Sequence, residues 1–267
     1  MKLLFGADPE LFVFNPNSQQ FVSGHNMVSG TKANPFPVND GAIQVDGLAL
    51  EFNITPCEDE EQWVKRINSV KGQLASRVPG YLLRAVPVAD FTPDTLAAQP
   101  PEALELGCEP DYNAWMDGAA NPRPDGDQFF RTGSGHVHIG WTSDADVRSK
   151  NHLADCMDVV RQLDYYLGVN SLLWDPDNRR RSMYGKAGAF RPKPYGVEYR
   201  VLSNSWLTSD ELTRWVFRAA KQAMTDMVNG NRMERKYGDL AREIIDNNVT
   251  DWRTKYPNLT IPMEFAA

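Results

Sequence analysis

Hydrophobic and polar positions alternate in four separate stretches of the chain, and each predicts a β-strand with one apolar and one polar face. In the run 131–141, Val137, Ile139 and Trp141 alternate with His136, His138 and Gly140. The two imidazoles therefore point the same way, roughly 6.5 Å apart along the strand. Glycines at 133, 135 and 140 leave room for backbone or ligand to approach. Earlier in the chain, Leu50, Phe52 and Ile54 alternate with Glu51 and Asn53, after an Asp46-Gly47 pair suited to a hairpin turn. Over 197–202, Val197, Tyr199 and Val201 alternate with Glu198 and Arg200. Residues 2–14 predict a strand or a bent strand pair in which Asp8 and Glu10 share a face. Pro9 between them has no N–H to donate, which marks an edge or a bulge.

Helical spacing follows a different rhythm. Trp63, Ile67, Val70 and Leu74 predict an amphipathic helix that starts near Thr55-Pro56 and carries Asp59, Glu60 and Glu61 at its positive end. Residues 147–168 predict a second, with Leu153, Met157, Val160, Leu163 and Leu167 as its stripe. Thr208-Ser-Asp-Glu211 reads as a capping box before a helix ending near Asn229-Gly230, and a last helix is expected over 233–247. A strand is expected over 81–88 and a short helix over 93–98. Residues 15–42 and 89–128 read as loop-rich; His25 and Lys32 could contact a ligand, although a solvated loop is the simpler reading, and the 107–115 loop carries ligand-capable side chains. No repeat or linker divides the chain. It is read as one domain over 1–267, with sheet and site in 1–206 and packing helices in 207–267. The expected fold class is α+β: a curved, mainly antiparallel sheet whose concave face carries the polar pairs and whose back packs on helices.

Composition narrows the partners. The 267 residues, 42% hydrophobic and 24% charged, suit a globular chain with a substantial core. A net charge of -7 argues against a general nucleic-acid binder. No apolar run is long enough to span a bilayer, and the first residues lack the features of a signal peptide, so no membrane partner and a cytoplasmic location are expected. The three cysteines, 57, 108 and 156, have no metal-ribbon spacing and read as free thiols. Charge is unevenly placed. Residues 179–200 hold seven Lys or Arg against one acid, Glu198, so the remaining chain carries 21 basic and 34 acidic residues. Arg179, Arg180, Arg181, Lys186, Arg191, Lys193 and Arg200 thus form a cationic segment suited to phosphate or carboxylate, although a charge run also fits a solvated loop.

Four strands present a same-face polar pair: Asp8/Glu10, Glu51/Asn53, His136/His138 and Glu198/Arg200. Each pair alone also fits a half-buried strand or a polar turn. Gathered on one sheet, they make a face of carboxylates and imidazoles without thiolates, which suits Mg²⁺ or Mn²⁺ better than structural zinc. No P-loop or dinucleotide fingerprint is present, so a nucleotide would be held by metal and by Arg or Lys.

The same residues carry a resemblance. Gly-Ser-Gly-His-Val-His resembles the Gly-Ser-Gly-x-His-x-His segment of glutamine synthetases, with one residue fewer before the first His. Val-Glu198-Tyr-Arg200 resembles their late Glu-x-Arg strand, and Asp8-x-Glu10 and Glu51 their metal carboxylates, in the same order along the chain. Asp8 stands where Glu is usual. Gly-Ala-Asp-Pro-Glu10, Glu51-Phe-Asn, Asn113-Ala-Trp and Tyr195-Gly-x-Glu198-Tyr-Arg together are similar to a narrower family over roughly 1–206. That family is the phage-encoded carboxylate–amine ligases of type 2, within the glutamine synthetase/glutamate–cysteine ligase superfamily.

The resemblance implies a glutamine synthetase-like catalytic fold and ATP- and Mg²⁺-dependent (or Mn²⁺-dependent) amide formation through an acyl phosphate, with small-molecule or peptide carboxylates and amines as substrates. It implies Glu10 and Glu51 on one metal and Asp8, His136 and Glu198 on another. His138, Arg179, Arg181, Lys186 and Arg191 would contact ATP. Arg200, with Arg191 and Lys186, would act on the transferred phosphate or substrate carboxylate. A metal-dependent hydrolase and a non-catalytic phage protein that keeps the fold are the alternatives. For a phage protein the expected location is the host cytoplasm.

Overall fold

The computed structural model describes residues 2–105, 111–122 and 129–265. Cys108 and the 107–110 part of the ligand-capable loop lie outside the described residues. The chain opens with β1 (Leu4–Asn15), β2 (Gln20–Val22), β3 (Phe36–Val38), β4 (Gly41–Asp46) and β5 (Ala49–Ile54). Then come α1 (Glu60–Ala75), β6 (Leu82–Arg84), β7 (Val88–Asp90), α2 (Pro93–Ala97) and α3 (Pro101–Leu104). The middle holds β8 (Tyr112–Asn113), β9 (Ala119–Ala120), β10 (Phe130–Thr132), β11 (Gly135–Gly140), α4 (Lys150–Leu163), α5 (Val169–Ser171) and α6 (Asn178–Met183). After β12 (Ala189–Lys193) and β13 (Gly196–Tyr199), the chain ends in α7 (Asp210–Val228), α8 (Met233–Tyr237), α9 (Leu240–Asp246) and α10 (Trp252–Lys255).

The fold is α+β. One open sheet runs β3-β4-β5-β1-β11-β13-β12-β8-β9, with β2 and β6 added along β1 and every pairing antiparallel. The sheet does not close into a barrel, and β7 with β10 forms a separate ribbon. Its apolar face packs on α1, α4 and α7. Trp63 of α1 stacks on Trp206 with ring centroids 5.7 Å apart and donates its indole N–H to Thr213 O at 3.0 Å. Phe5 of β1 meets Phe217 of α7 edge-on at 4.9 Å. Burying large side chains of this kind stabilises the fold by about 1.5–3 kcal/mol each. Met233, Ile244 and Ile245 of the last helices join the same core as the strands.

β1 is a central strand, not an edge. Along one side, Leu4 to Pro9 pair with Gly140 to Gly135 of β11; along the other, Phe5 bridges Cys57 and Glu10 pairs with Glu51 of β5. The register on that second side changes by one between those two points. Glu10 donates its N–H towards β11, to Ser134 O at 2.9 Å, and Phe5 donates towards Cys57. Alternation therefore turns the Pro9 nitrogen to the β5 side, into the gap in that ladder. The proline sits at a local interruption of pairing in the middle of the sheet.

Several boundaries differ from the sequence reading. The 15–42 segment contains β2 and β3, and 81–88 divides into β6 and β7 on different sheets. α1 begins later than Thr55, because Asp59 caps it by accepting from Gln62 N at 2.8 Å. α7 is capped by Ser209, one residue after Thr208. Gly238, at φ +63°, breaks the expected 233–247 helix into α8 and α9. α4 widens into a π turn at Asp164–Gly168, where Asp164 accepts from Trp115 Nε1, Gly188 N and Tyr199 OH at 2.6–2.7 Å. Its buried stripe is His152, Cys156, Val159, Val160 and Leu163, with Leu153 and Met157 at the margin. The basic segment contains a helix, α6. Gly133 and Gly135 make room for the chain's own backbone: a Cβ at Gly135 would lie 2.4 Å from Ser203 O and Trp206 Nε1, and one at Gly133 2.4 Å from Asn204 Nδ2.

Candidate functional site

The polar face of the sheet lines a cavity of about 580 Å³. The antiparallel ladders place its side chains opposite one another. Asp8 faces His136, His138 faces Glu198, Glu198 faces Arg191, Glu10 faces Glu51, and Glu51 faces Gln44. All four same-face pairs expected from sequence reach this cavity. Two further pairs join them, Gln44/Asp46 from β4 and Arg191/Lys193 from β12.

Within the cavity the acids gather in two groups. Ligand atoms of Asp8, His138 and Glu198 all lie within 4.8 Å of one another, as do those of Glu10, Asp46 and Glu51. In the first group His138 Nε2 is 3.0 Å from Asp8 Oδ1, and His136 Nδ1 is 3.3 Å from the same oxygen and 3.4 Å from Glu198 Oε1. Asp8 Oδ1 and His138 Nε2 are buried without a hydrogen bond among the described residues. In the second group, like charges stand directly opposite on paired strands, an arrangement that repels unless a cation lies between them. Both groups are rich in carboxylate oxygen. The donor set and the orphaned atoms fit hard divalent cations such as Mg²⁺ or Mn²⁺.

Electrostatics separates the groups. Burial raises the Glu10 carboxyl, and the charge of Asp46 adds to it, against a hydrogen bond from Ser134 N at 2.8 Å; the result is a pKa of about 8. Burial and the charges of Asp8, Asp46 and Glu10 hold the Glu51 carboxyl well above its ordinary range. Burial pushes Asp8 up as well, but His138 and His136 outweigh it and hold it below its usual value. Glu198 is likewise brought low against burial, chiefly by Arg200. Burial and Arg200 depress the His136 imidazole to about 4, whereas Asp8 raises His138 in spite of burial.

Cations flank the Asp8–Glu198 group. Arg200 pairs with Glu198 and lies 3.5 Å from Asp111; Lys193 Nζ is 2.7 Å and Arg191 Nη1 3.8 Å from Glu198. Lys32, on an exposed loop, also reaches the cavity, 3.5 Å from Asp46, as the ligand-contact alternative allowed. A smaller hollow of about 90 Å³ shares Glu10, Lys32, Asp46, Arg191 and Arg200 with the main cavity and adds Arg131 and Tyr184.

The rest of the cationic segment lies elsewhere. Arg179 pairs with Asp177 and Asp90 near the surface. Arg181 is buried against Asp175 at 3.2 Å and also donates to Asn248 and Ser171. Lys186 lines a separate small hollow with Asp111 and Tyr184. Arg180, fully buried, donates to the carbonyls of Val201 and Arg200 and ties α6 to the end of β13. Thus Asp8, Glu10, Glu51, His136, His138, Glu198, Arg191 and Arg200 come together, while Arg179, Arg181 and Lys186 do not. His25 does not line the cavity.

The sequence reading missed Gln44, Asp46 and Tyr195 as site residues, and it placed Lys193 only within the cationic segment. Asp46 was absorbed into a turn motif, although a two-residue hairpin puts Gln44 opposite Glu51 and so fixes the face of Asp46. Arg191-Pro-Lys193 has strand parity that the proline disguises. Tyr195 stands in a turn, where periodicity carries no signal.

The mainly antiparallel sheet thus gathers two acid-rich groups and several cationic side chains on one face. Residues 115–242 match the family model described as phage phiEco32-like COOH.NH2 ligase-type 2. The matched span includes β11, β12, β13 and most of the helical part; Asp8, Glu10, Asp46 and Glu51 precede it. No curated protein matches the chain. Among the described residues no helix is long and apolar enough to cross a membrane.

Proposed function

We propose that the protein is an ATP- and Mg²⁺-dependent ligase that joins a carboxylate to an amine through an acyl phosphate. The observation that carries this reading is the pair of acid-rich groups, Asp8/His138/Glu198 and Glu10/Asp46/Glu51, side by side in one cavity flanked by Arg191, Lys193 and Arg200. Glu10, Asp46 and Glu51 would hold one cation; Asp8, His138 and Glu198, with His136 beside them, would hold the other. When bound, the cations supply neutralisation of the nucleotide's phosphate charge.

The chain's own part is electrostatic and geometric. Arg200 is fixed by Glu198 and Asp111, and Arg191 and Lys193 stand on the neighbouring strand, so three cations are preorganised where charge spreads over a transferring phosphoryl group. An oxygen of the substrate carboxylate attacks the γ-phosphorus as the bond to ADP breaks. The amine nitrogen then attacks the acyl carbon, loses a proton, and phosphate departs. Small-molecule or peptide acids and amines fit a cavity of about 580 Å³.

The test is a screen of acid and amine pairs for ADP release with Mg²⁺. The expected result is release that needs both partners, reduced about 100-fold or more by Glu51→Ala or Glu198→Ala. ADP release in water alone, unaffected by any amine, would replace ligation with hydrolysis.

A further inference from the structure

Tyr195 occupies the turn between β12 and β13, and nothing in the ligase reading accounts for it. Its backbone is held from outside the hairpin: Tyr195 O accepts from Trp141 N at 2.9 Å and Thr142 N at 3.2 Å, and Pro194 O accepts from Ala145 N at 2.9 Å. His152 Nε2 contacts Lys193 O at 2.9 Å on the same hairpin. Gly196 follows at φ +150°, where a Cβ would lie 2.1 Å from Ile139 O. The turn is thus locked against β11, and it delivers the Tyr195 hydroxyl to His138 Nδ1 in a short hydrogen bond. The other ring nitrogen of His138, Nε2, faces Asp8 Oδ1 at 3.0 Å in the Asp8–Glu198 group and makes no hydrogen bond among the described residues.

An imidazole has one proton to place when neutral. A nitrogen that gives its lone pair to a cation cannot carry that proton, so the other nitrogen must. With a cation on Nε2 beside Asp8, Nδ1–H would be the donor and the Tyr195 oxygen the acceptor. The tyrosine's own O–H is then released to point elsewhere, and Tyr195 lines the main cavity beside Lys193 and Thr142.

We propose that Tyr195 is a positioning residue that holds His138 in its Nε2-ligating form and gives its own O–H to an anionic oxygen of the cavity's ligand, so that filling the cation site and binding that oxygen favour each other. This rests on the ligase reading for the existence of the cation site, and it adds a coupling that the acids alone do not provide. By linkage the coupling is reciprocal.

The experiment is Mn²⁺ titration of the full chain with and without ADP, for wild type, Tyr195→Phe, His138→Ala and the double variant, with circular dichroism to confirm that each is folded. The expected result is a Mn²⁺ Kd raised about tenfold by Tyr195→Phe. The same change is expected to alter Kd less than about twofold once His138 is Ala, and the factor by which ADP tightens Mn²⁺ is expected to shrink in Tyr195→Phe. Nitrogen chemical shifts of His138 are expected to report a protonated Nδ1 in the Mg²⁺-loaded wild type. Wild-type Mn²⁺ affinity in Tyr195→Phe, or equal weakening with and without His138, overturns the positioning role, and an unchanged ADP factor overturns the donor role. Absence of Mn²⁺ binding to wild type would instead defeat the ligase reading itself.

Discussion

Glu10 and Glu51 face each other across two paired strands with Asp46 close by, and this crowding governs how the protein without metal responds to pH. The Glu10 carboxyl keeps its proton to about 8 in the folded chain, against an ordinary value of 4.5. A raised carboxyl pKa stabilises the fold fully below the unfolded value, and that contribution is lost as pH climbs to the folded value. His136, depressed to about 4, has given all its stabilisation above its ordinary 6.5, so it adds no slope there. His138, raised, changes stability in the same sense as Glu10. In EDTA the melting temperature should therefore fall between pH 6.5 and 8. One proton contributes at most about 1.4 kcal/mol per pH unit. Glu10→Gln should flatten that slope, and excess Mg²⁺ should flatten it in the wild type; thermal melts across the range check both. Arg179 gives a contrasting expectation. Its exposed pairs with Asp177 and Asp90 stand away from the cavity, so Arg179→Ala should cost less than about 1 kcal/mol in urea denaturation and leave Mn²⁺ affinity within about twofold.

At the level of elements, the apolar–polar alternation was enough to find β1, β5, β11 and β13, because each has one face in the core and one in the cavity. It was not enough for β12, where Pro192 interrupts the pattern, or for β2, β3, β8 and β9, which are two or three residues long. Helical stripes found α1, α4 and α7 for the same reason, whereas the break at Gly238 depends on a backbone conformation that composition does not reveal. Arg181 shows the limit of charge counting: it answers Asp175 and Asn248, which lie far away in sequence or outside the basic run. The tight passage of the 203–206 segment past β11 makes its own prediction. Gly135→Ala would bring a Cβ to 2.4 Å from Ser203 O and Trp206 Nε1. It should destabilise the chain by about 1–3 kcal/mol in urea denaturation.

Across the whole molecule, the sheet carries the cavity on one face and the core on the other, so a cation held as proposed would be linked to folding. A cation that binds only the folded chain raises its stability by about 2.7 kcal/mol at a hundred times its Kd. Mg²⁺ or Mn²⁺ should raise the melting temperature in a concentration-dependent way, and Glu51→Ala with Glu198→Ala should abolish the rise while far-UV circular dichroism stays native. The span 115–242 that matches the ligase family model supplies only His138 and Glu198 of the two groups; Asp8, Glu10, Asp46 and Glu51 come from the strands that precede it.

Asp8 and Glu10, one from each acid group, are separated by a single proline on one continuous strand. Their Cα atoms are therefore about 6.5–7 Å apart, set by the repeat of extended backbone. No hinge divides them, so closing a lid or shifting a domain cannot draw the two centres together or push them apart. Accommodation of a longer or bulkier ligand would fall to the loop that carries Lys32, while the spacing at the centre works as a fixed ruler.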